Sequence, residues 1–272
     1  MKICVARAHG GIGDILMMTP GIKALKKAGH EVHVAINREP ETKDSYFEIL
    51  KNNPSIDRIH EYKDVEKKEF DKFVDLTSVA YPYEQAGFKL GRAKIFARYM
   101  GVSIEDETPI LVLDESIYCE NLIALHFFGA EKRRSWNKEK ARRLINYLIK
   151  ETSVNLLLLD NEYYYPDSDR IISCEGVGVM KASGYLHSAK YFIGIDSGWM
   201  HIAGALDIPG LVLFGSTDPI TRIKDYKYLD GLYTKSKCRG CFYKPCEIKY
   251  NCMEEITLNE VIEVIRYDAL LF

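Results

Sequence analysis

No stretch of this sequence stays apolar for the roughly 18 residues that a membrane-spanning helix needs, and Met1-Lys2-Ile3-Cys4-Val5 lacks the long apolar core of a secretory signal. No membrane-spanning helix is therefore expected, and a cytoplasmic location is. Net charge is nearly absent as well. At a formal value of −2, the chain offers no overall attraction to nucleic acid or to an anionic bilayer, so nucleic acid is not expected as a partner and membrane contact is at most peripheral. Short-period repeats and low-complexity tracts are missing, which removes solenoids, propellers and fibrous arrays. There is no D-x-D pair at the end of a strand to hold a divalent cation, so no catalytic metal is expected.

What is present is 272 residues of ordinary apolar and charged content, enough for one large core or two modest ones. Apolar runs of strand length at Ile3 to Ala8, Glu31 to Ile36, Arg58 to Tyr62 and Phe73 to Leu76 alternate with helical patterns at Asp14 to Ala28 and Ala93 to Met100. Pro20 is expected to kink or divide the first of these helices. Glu105 to Ser116, with Pro109 and several acids, reads as a passage between halves, placing a boundary near residue 117.

The second half alternates again. Strands are expected at Leu122 to His126, Val154 to Leu159, near Arg170 to Ser173, at Tyr191 to Ile195 and at Leu211 to Phe214, and helices at Lys138 to Lys150, Val179 to Ser188, Met200 to Leu206 and Leu258 to Leu270. The expected class is α/β, with two Rossmann-like domains, 1–117 and 118–272, and ligands in a cleft between them, where strand ends gather.

Two turns carry chemistry. His9-Gly-Gly-Ile-Gly-Asp14 joins the first strand to the first helix, so Gly11 and Gly13 let a ligand approach the backbone. The run lacks the last glycine of a dinucleotide fingerprint and the Lys of a P-loop. Asp14 has two readings of equal weight: a cap for the helix, or a proton acceptor kept charged by the positive helix end.

Asp196-Ser-Gly-Trp-Met-His201 lies between a strand and a helix. The backbone N–H groups at Ser197 and Gly198, the Ser197 hydroxyl and His201 one turn on could receive a diphosphate; the plainer reading is a capped helix with a core histidine. After the strand ending at His126 come Lys132, Arg133 and Arg134, a cationic run suited to charge accumulating on a departing nucleoside diphosphate. Asp160 and Glu162 follow the next strand and could accept hydrogen bonds from ribose hydroxyls; the plainer reading of a loop acid is that it is solvated. The basic run from Arg222 to Lys249 reads as a solvated surface.

These motifs together resemble glycosyltransferase family 9, the bacterial heptosyltransferases, nearly end to end. The first-half pattern G-x-G-D through T-P-x-x-x-A-L is Gly11-Ile-Gly-Asp14 through Thr19-Pro-Gly-Ile-Lys-Ala-Leu25. The second-half patterns are Asp196-Ser-Gly-Trp-Met-His201, Gly204-Ala-Leu-Asp-Ile-Pro209 and Phe214-Gly-Ser-Thr-Asp-Pro219. The resemblance implies a GT-B fold and inverting transfer of a sugar, usually heptose from an ADP-sugar, with Asp14 as general base. It implies a basic residue before a Trp, matched by Arg134, and places Asp196, Ser197, Gly198 and His201 around the donor diphosphate and sugar. Phe127-Phe128-Gly129 stands where members often carry a Thr pair.

A nucleotide-sugar donor and a glycan or protein acceptor are the partners expected from this. Two other classes fit the residues: a nucleotide-sugar epimerase of similar shape, and a non-catalytic sugar-nucleotide or glycan-binding protein.

Seven cysteines in a reducing compartment argue for core positions or metal before disulfides. Cys4, Cys119 and Cys174 read as core. Cys238, Cys241, Cys246 and Cys252 form C-x2-C-x4-C-x5-C, either four soft ligands for structural zinc or iron or cysteines that are reduced or disulfide-linked; the resembling family includes protein-modifying members with iron in a four-cysteine finger and others with only some of these cysteines and no metal.

Overall fold

The computed structural model describes residues 1–37, 45–162, 165–224, 226–236, 241 and 252–268. The chain divides into two compact units. One comprises Met1–Asp114 with Gly178–Met180 and Lys224–Tyr226; the other comprises Glu115–Val177, Lys181–Ile223 and Lys227–Phe272.

The first domain is built on a four-stranded sheet of β1 (Lys2–Arg7), β2 (Glu31–Ile36), β3 (Arg58–Glu61) and β4 (Lys72–Asp75), with order β3-β2-β1-β4 and every pair parallel. Its helices are α1 (Ile12–Lys27), α2 (Ser45–Leu50), α3 (Tyr81–Gln85) and α4 (Arg92–Met100). β1 and β2 are apolar and buried through most of their length, as expected of parallel strands covered on both faces. Helix α1 supplies Ile15, Leu16, Met18 and Ile22 to the core, and α4 supplies Ile95, Phe96 and Met100.

The second domain has six parallel strands: β5 (Leu122–His126), β6 (Asn155–Leu158), β7 (Ile171–Ser173), β8 (Ala189–Ile195), β9 (Gly210–Phe214) and β10 (Leu229–Tyr233), in the order β10-β9-β8-β5-β6-β7. The accompanying helices are α5 (Lys138–Glu151), α6 (Val179–Leu186), α7 (Gly198–Ala205) and α8 (Leu258–Asp268). One apolar cluster joins β5, β6, β8 and β9 to Leu144, Ile145 and Leu148 of α5 and to Val261 and Ile265 of α8.

Three expectations change. Helix α1 runs unbroken through Pro20. The Leu16 carbonyl, which would bond an amide at position 20, instead accepts from the Thr19 hydroxyl at 2.6 Å, so the proline leaves no orphaned acceptor there. Cys119 is only half-buried, in the loop entering β5, whereas Cys4 and Cys174 are core. The short helices α2 and α3 and the edge strand β10 were not anticipated. Leu229-Asp-Gly-Leu-Tyr233 is an edge strand with one buried residue, so no apolar run announces it.

Helix ends show where the sequence is closed and where it is open. Asn137 caps α5, accepting from the Lys140 amide at 3.0 Å. At α8, Thr257 and Glu260 cap each other: the Glu260 amide donates to Thr257 Oγ1 at 3.2 Å, and the Thr257 amide donates to Glu260 Oε2 at 2.9 Å. The N-cap residues of α1 and α7, Gly11 and Ser197, make no side-chain cap.

The capping pair yields a stability prediction. Thr257→Ala is expected to lower the unfolding free energy by about 1 kcal/mol in urea titration. The Lys235 hydrogen bond first, and then the Thr257 amide and hydroxyl, pull the Glu260 carboxyl down to about 2. A depressed carboxyl contributes stability that is present above its unfolded value, near 4.3, and lost as pH falls. Glu260→Gln should therefore cost stability at neutral pH, and the difference from the parent should fade as pH drops toward 2.

Candidate functional site

In an open parallel sheet, ligands gather at the carboxyl ends of the strands where the chain order reverses. In the second domain that point is the β5–β8 junction: β5, β6 and β7 progress one way and β8, β9 and β10 the other. In the first domain it is the β1–β4 junction. The charged clusters of both domains lie at these two points.

At the β5–β8 junction, Asp196 directly follows β8 and is buried, 4% exposed. Burial opposes its charge, yet Arg222 and then Arg134 outweigh that cost and hold the carboxyl below the ordinary carboxylate range. Arg222 Nε lies 3.5 Å and Arg134 NH1 3.8 Å from Asp196 Oδ2, and Arg134 NH1 donates to the Asp196 carbonyl at 3.0 Å. Ser197 and Gly198 then open α7, whose N-cap hydroxyl does not fold back onto the helix. The buried hydroxyls of Ser197 and, after β9, Ser216 find no hydrogen-bond partner among the described residues. His201 is buried one turn into α7. Gly215, which precedes Ser216, lies close against Met253: a Cβ there would be 2.7 Å from Met253 Sδ, so any side chain would require Met253 to shift.

The loop after β5 holds Arg134 through fixed neighbours. The Trp136 amide donates to the Phe127 carbonyl at 2.9 Å, Trp136 Nε1 to the Ile256 carbonyl at 3.0 Å, and the Gly129 amide to Ser135 Oγ at 3.1 Å. Arg133 points elsewhere, with NH2 3.6 Å from Glu131 on the surface, so of the neighbouring pair Arg134 alone reaches Asp196. Asp160 also departs from its readings as a ribose acceptor or a solvated acid. Its carboxylate is buried and accepts from the amides of Phe127 (3.0 Å) and Phe128 (2.9 Å), with His126 Nδ1 3.0 Å away. It ties the β5 loop to the sheet. Glu162 pairs with Lys138 at 3.1 Å on the surface.

At the β1–β4 junction, Asp14 sits in the first turn of α1 and does not cap it; Gly11 occupies that position. Its carboxylate lies between two arginines. Arg7 NH2, from the end of β1, is 3.2 Å from Oδ2, and Arg92 NH1, from the start of α4, bonds Oδ1. Gly10 has φ +135°, and a Cβ there would sit 2.7 Å from both Arg7 Nε and Asp14 Oδ2, so only glycine fits. The Tyr46 hydroxyl secures this turn by donating to the Gly10 carbonyl at 2.6 Å. Gly11 by contrast has open space at its Cβ position, and Gly13 is buried inside α1.

Sequence reasoning missed Arg7, Glu84, Arg92 and the role of Arg222. Arginines scattered over the chain carry no spacing signal, although the position of Arg222 four residues after Asp218 was a usable hint. Of the four-cysteine run, Cys241 is half-buried and Cys252 buried; Cys238 and Cys246 lie outside the described residues, as do Lys237, Arg239, Lys244 and Lys249 of the basic run. Among the described residues no group of His, Cys, Asp and Glu has metal-holding geometry, and no helix is long and apolar enough to cross a membrane.

The family model for glycosyltransferase family 9 (heptosyltransferase) matches residues 179–251, the segment that contains Asp196, Ser216 and Arg222. No curated protein matches the sequence. Among solved structures, a glycosyl transferase family 9 protein from Veillonella parvula DSM 2008 aligns with TM-score 0.74 at 14% identity, over 99% of this chain and 97% of that one. The dodecameric iron-containing heptosyltransferase TibC of enterotoxigenic E. coli H10407, in complex with ADP-D-beta-D-heptose, aligns with TM-score 0.76 at 15% identity, over 97% and 76%. E. coli heptosyltransferase WaaC with ADP aligns with TM-score 0.66 at 15% identity, over 99% and 98%. These likenesses establish the fold as GT-B, with two parallel-sheet α/β domains.

The Asp160 clamp is directly testable. Asp160→Ala leaves the Phe127 and Phe128 amides without their acceptor and is expected to destabilise the protein by about 3–5 kcal/mol in denaturant unfolding. Asp160→Asn, which keeps one carbonyl acceptor, should recover part of the loss. An Asp160→Ala protein of unchanged stability would show that the carboxylate does not tie down the loop.

Proposed function

We propose that the chain is an inverting, metal-independent glycosyltransferase that moves a sugar, heptose from ADP-heptose, to a hydroxyl of a glycan or protein acceptor in the cytoplasm. The observation that carries this reading is the overlap of the family 9 match with the cluster around Asp196: the matched residues 179–251 include the open start of α7, the Ser216 turn and Arg222.

In this mechanism the donor's diphosphate rests on the N–H groups at the start of α7, with the Ser197 and Ser216 hydroxyls as further donors and Arg134 and Arg222 as cations. Asp14, the proposed general base, takes the proton of the acceptor hydroxyl while that oxygen bonds to the anomeric carbon. The anomeric carbon's bond to the diphosphate oxygen breaks in the same step, its electron pair leaves on ADP, and the configuration inverts. The guanidinium groups and the helix start stabilise the charge that builds on the leaving diphosphate, the task a divalent cation performs elsewhere.

Two variants separate the proposed roles. With ADP-heptose as donor, Asp14→Ala is expected to lose nearly all ADP release while donor affinity by calorimetry stays within about twofold. Arg222→Gln is expected to weaken ADP binding roughly 10- to 100-fold, the loss of a charge-assisted contact. Undiminished turnover in Asp14→Ala would remove Asp14 as the base. A free epimerised sugar nucleotide as the product would replace transfer with epimerisation.

Cys238, Cys241, Cys246 and Cys252 are proposed as a structural zinc or iron site, supported by the four-thiolate spacing and the burial of Cys252. Elemental analysis of protein purified under reducing conditions should find stoichiometric zinc or iron, lost in Cys241→Ser. Metal-free protein of full stability would dismiss the site.

A further inference from the structure

We propose that Arg7 and Arg92, with Glu84 behind Arg92, are positioning residues that fix the aim of the Asp14 carboxylate; the inference rests on the reading of Asp14 as the base. The Asp14 carboxylate, in the first turn of α1, has its two oxygens engaged by arginines from different elements: Oδ2 by Arg7 from β1, and Oδ1 by Arg92 from α4.

Neither arginine is loosely held. Arg7 is 7% exposed, its NH1 donates to the Leu76 carbonyl at 2.5 Å, and its guanidinium lies 5.0 Å from the centre of the Phe96 ring. Arg92 gives Nε and NH2 to the two oxygens of Glu84, at 2.6 and 2.8 Å, a planar fork that sets the direction of the remaining NH1. The Glu84 side chain is 6% exposed, so this pair is shielded from water. Charge neutralisation alone would need one arginine and no fork. Two pre-oriented donors, one per oxygen, restrict rotation of the carboxylate about its last bond, and the side-chain-free Gly10 leaves the space that this arrangement occupies.

Aim matters more than affinity for a base, because an angstrom of misplacement costs rate while the donor binds as before. Arg92→Gln and Arg7→Gln in the full chain are therefore expected to lower kcat for ADP release from ADP-heptose roughly 100-fold, with the donor KM within about twofold of the parent. Arg92→Lys keeps the charge but cannot fork onto Glu84, so it should fail to restore the rate. Glu84→Gln, the mildest change, should give an intermediate loss of kcat and serves if the arginine variants do not fold. Variants that melt earlier but turn over at the parent rate per folded molecule, or full rescue by lysine, would overturn the proposal.

A parent protein that releases no ADP would count against the glycosyltransferase reading and leave the clamp to be decided by spectroscopy. The carboxyl carbon of Asp14, identified in 13C-labelled protein by its absence from Asp14→Asn, should then move in Arg92→Lys and Glu84→Gln. An unmoved resonance would overturn the clamp independently of activity.

Discussion

A carboxylate taken out of water at the end of a parallel strand must be met by cations or donors, and much of the arrangement around the β5–β8 junction follows from meeting that demand at Asp196. Its charge draws Arg134 from the loop after β5 and Arg222 from the turn after β9 to the point where α7 begins. Three segments far apart in sequence are thereby fastened around one helix start. The Asp160 clamp and the Trp136 hydrogen bonds hold the first of these segments from behind, and Met253 packed against Gly215 backs the turn that carries Ser216.

The first domain solves the same problem differently. Asp14 also follows a β strand at a switch point and also meets two arginines, but one of these is itself bound by a buried glutamate. The contrast fits a division of labour. A cradle for an anion benefits from an open helix end and hydroxyls with unspent hydrogen-bonding capacity, as at Ser197 and Ser216. A proton acceptor benefits from a carboxylate that cannot turn away.

Much of this was legible in the sequence because parallel strands covered on both faces read as apolar runs and helices by their period. Leu122 to His126 and Glu31 to Ile36 were found to the residue. Gly11-Ile-Gly-Asp14 and Asp196-Ser-Gly were legible because a strand-to-helix turn requires small residues next to its polar group. Long-range partners are not legible: nothing near Arg7 or Arg92 in sequence points to Asp14, and an acid just after a strand, as Asp160 is, reads as a ribose acceptor or a solvated loop residue, because the Phe127 and Phe128 amides that it binds lie more than thirty residues away. Pro20 misled because its consequence depends on Thr19, whose hydroxyl occupies the Leu16 carbonyl. Residues facing solvent at an edge, as in β10, carry no period to read.

The proposed cradle for a nucleoside diphosphate lies at the β5–β8 junction. Hydrogen–deuterium exchange of the full chain with and without ADP tests it most directly, since bound phosphate must slow the amides it contacts. Protection is expected to concentrate in residues 196–201 and 215–222, with a lesser effect at 129–136. Saturating ADP that leaves these three segments unprotected, or protects only segments elsewhere, would contradict it.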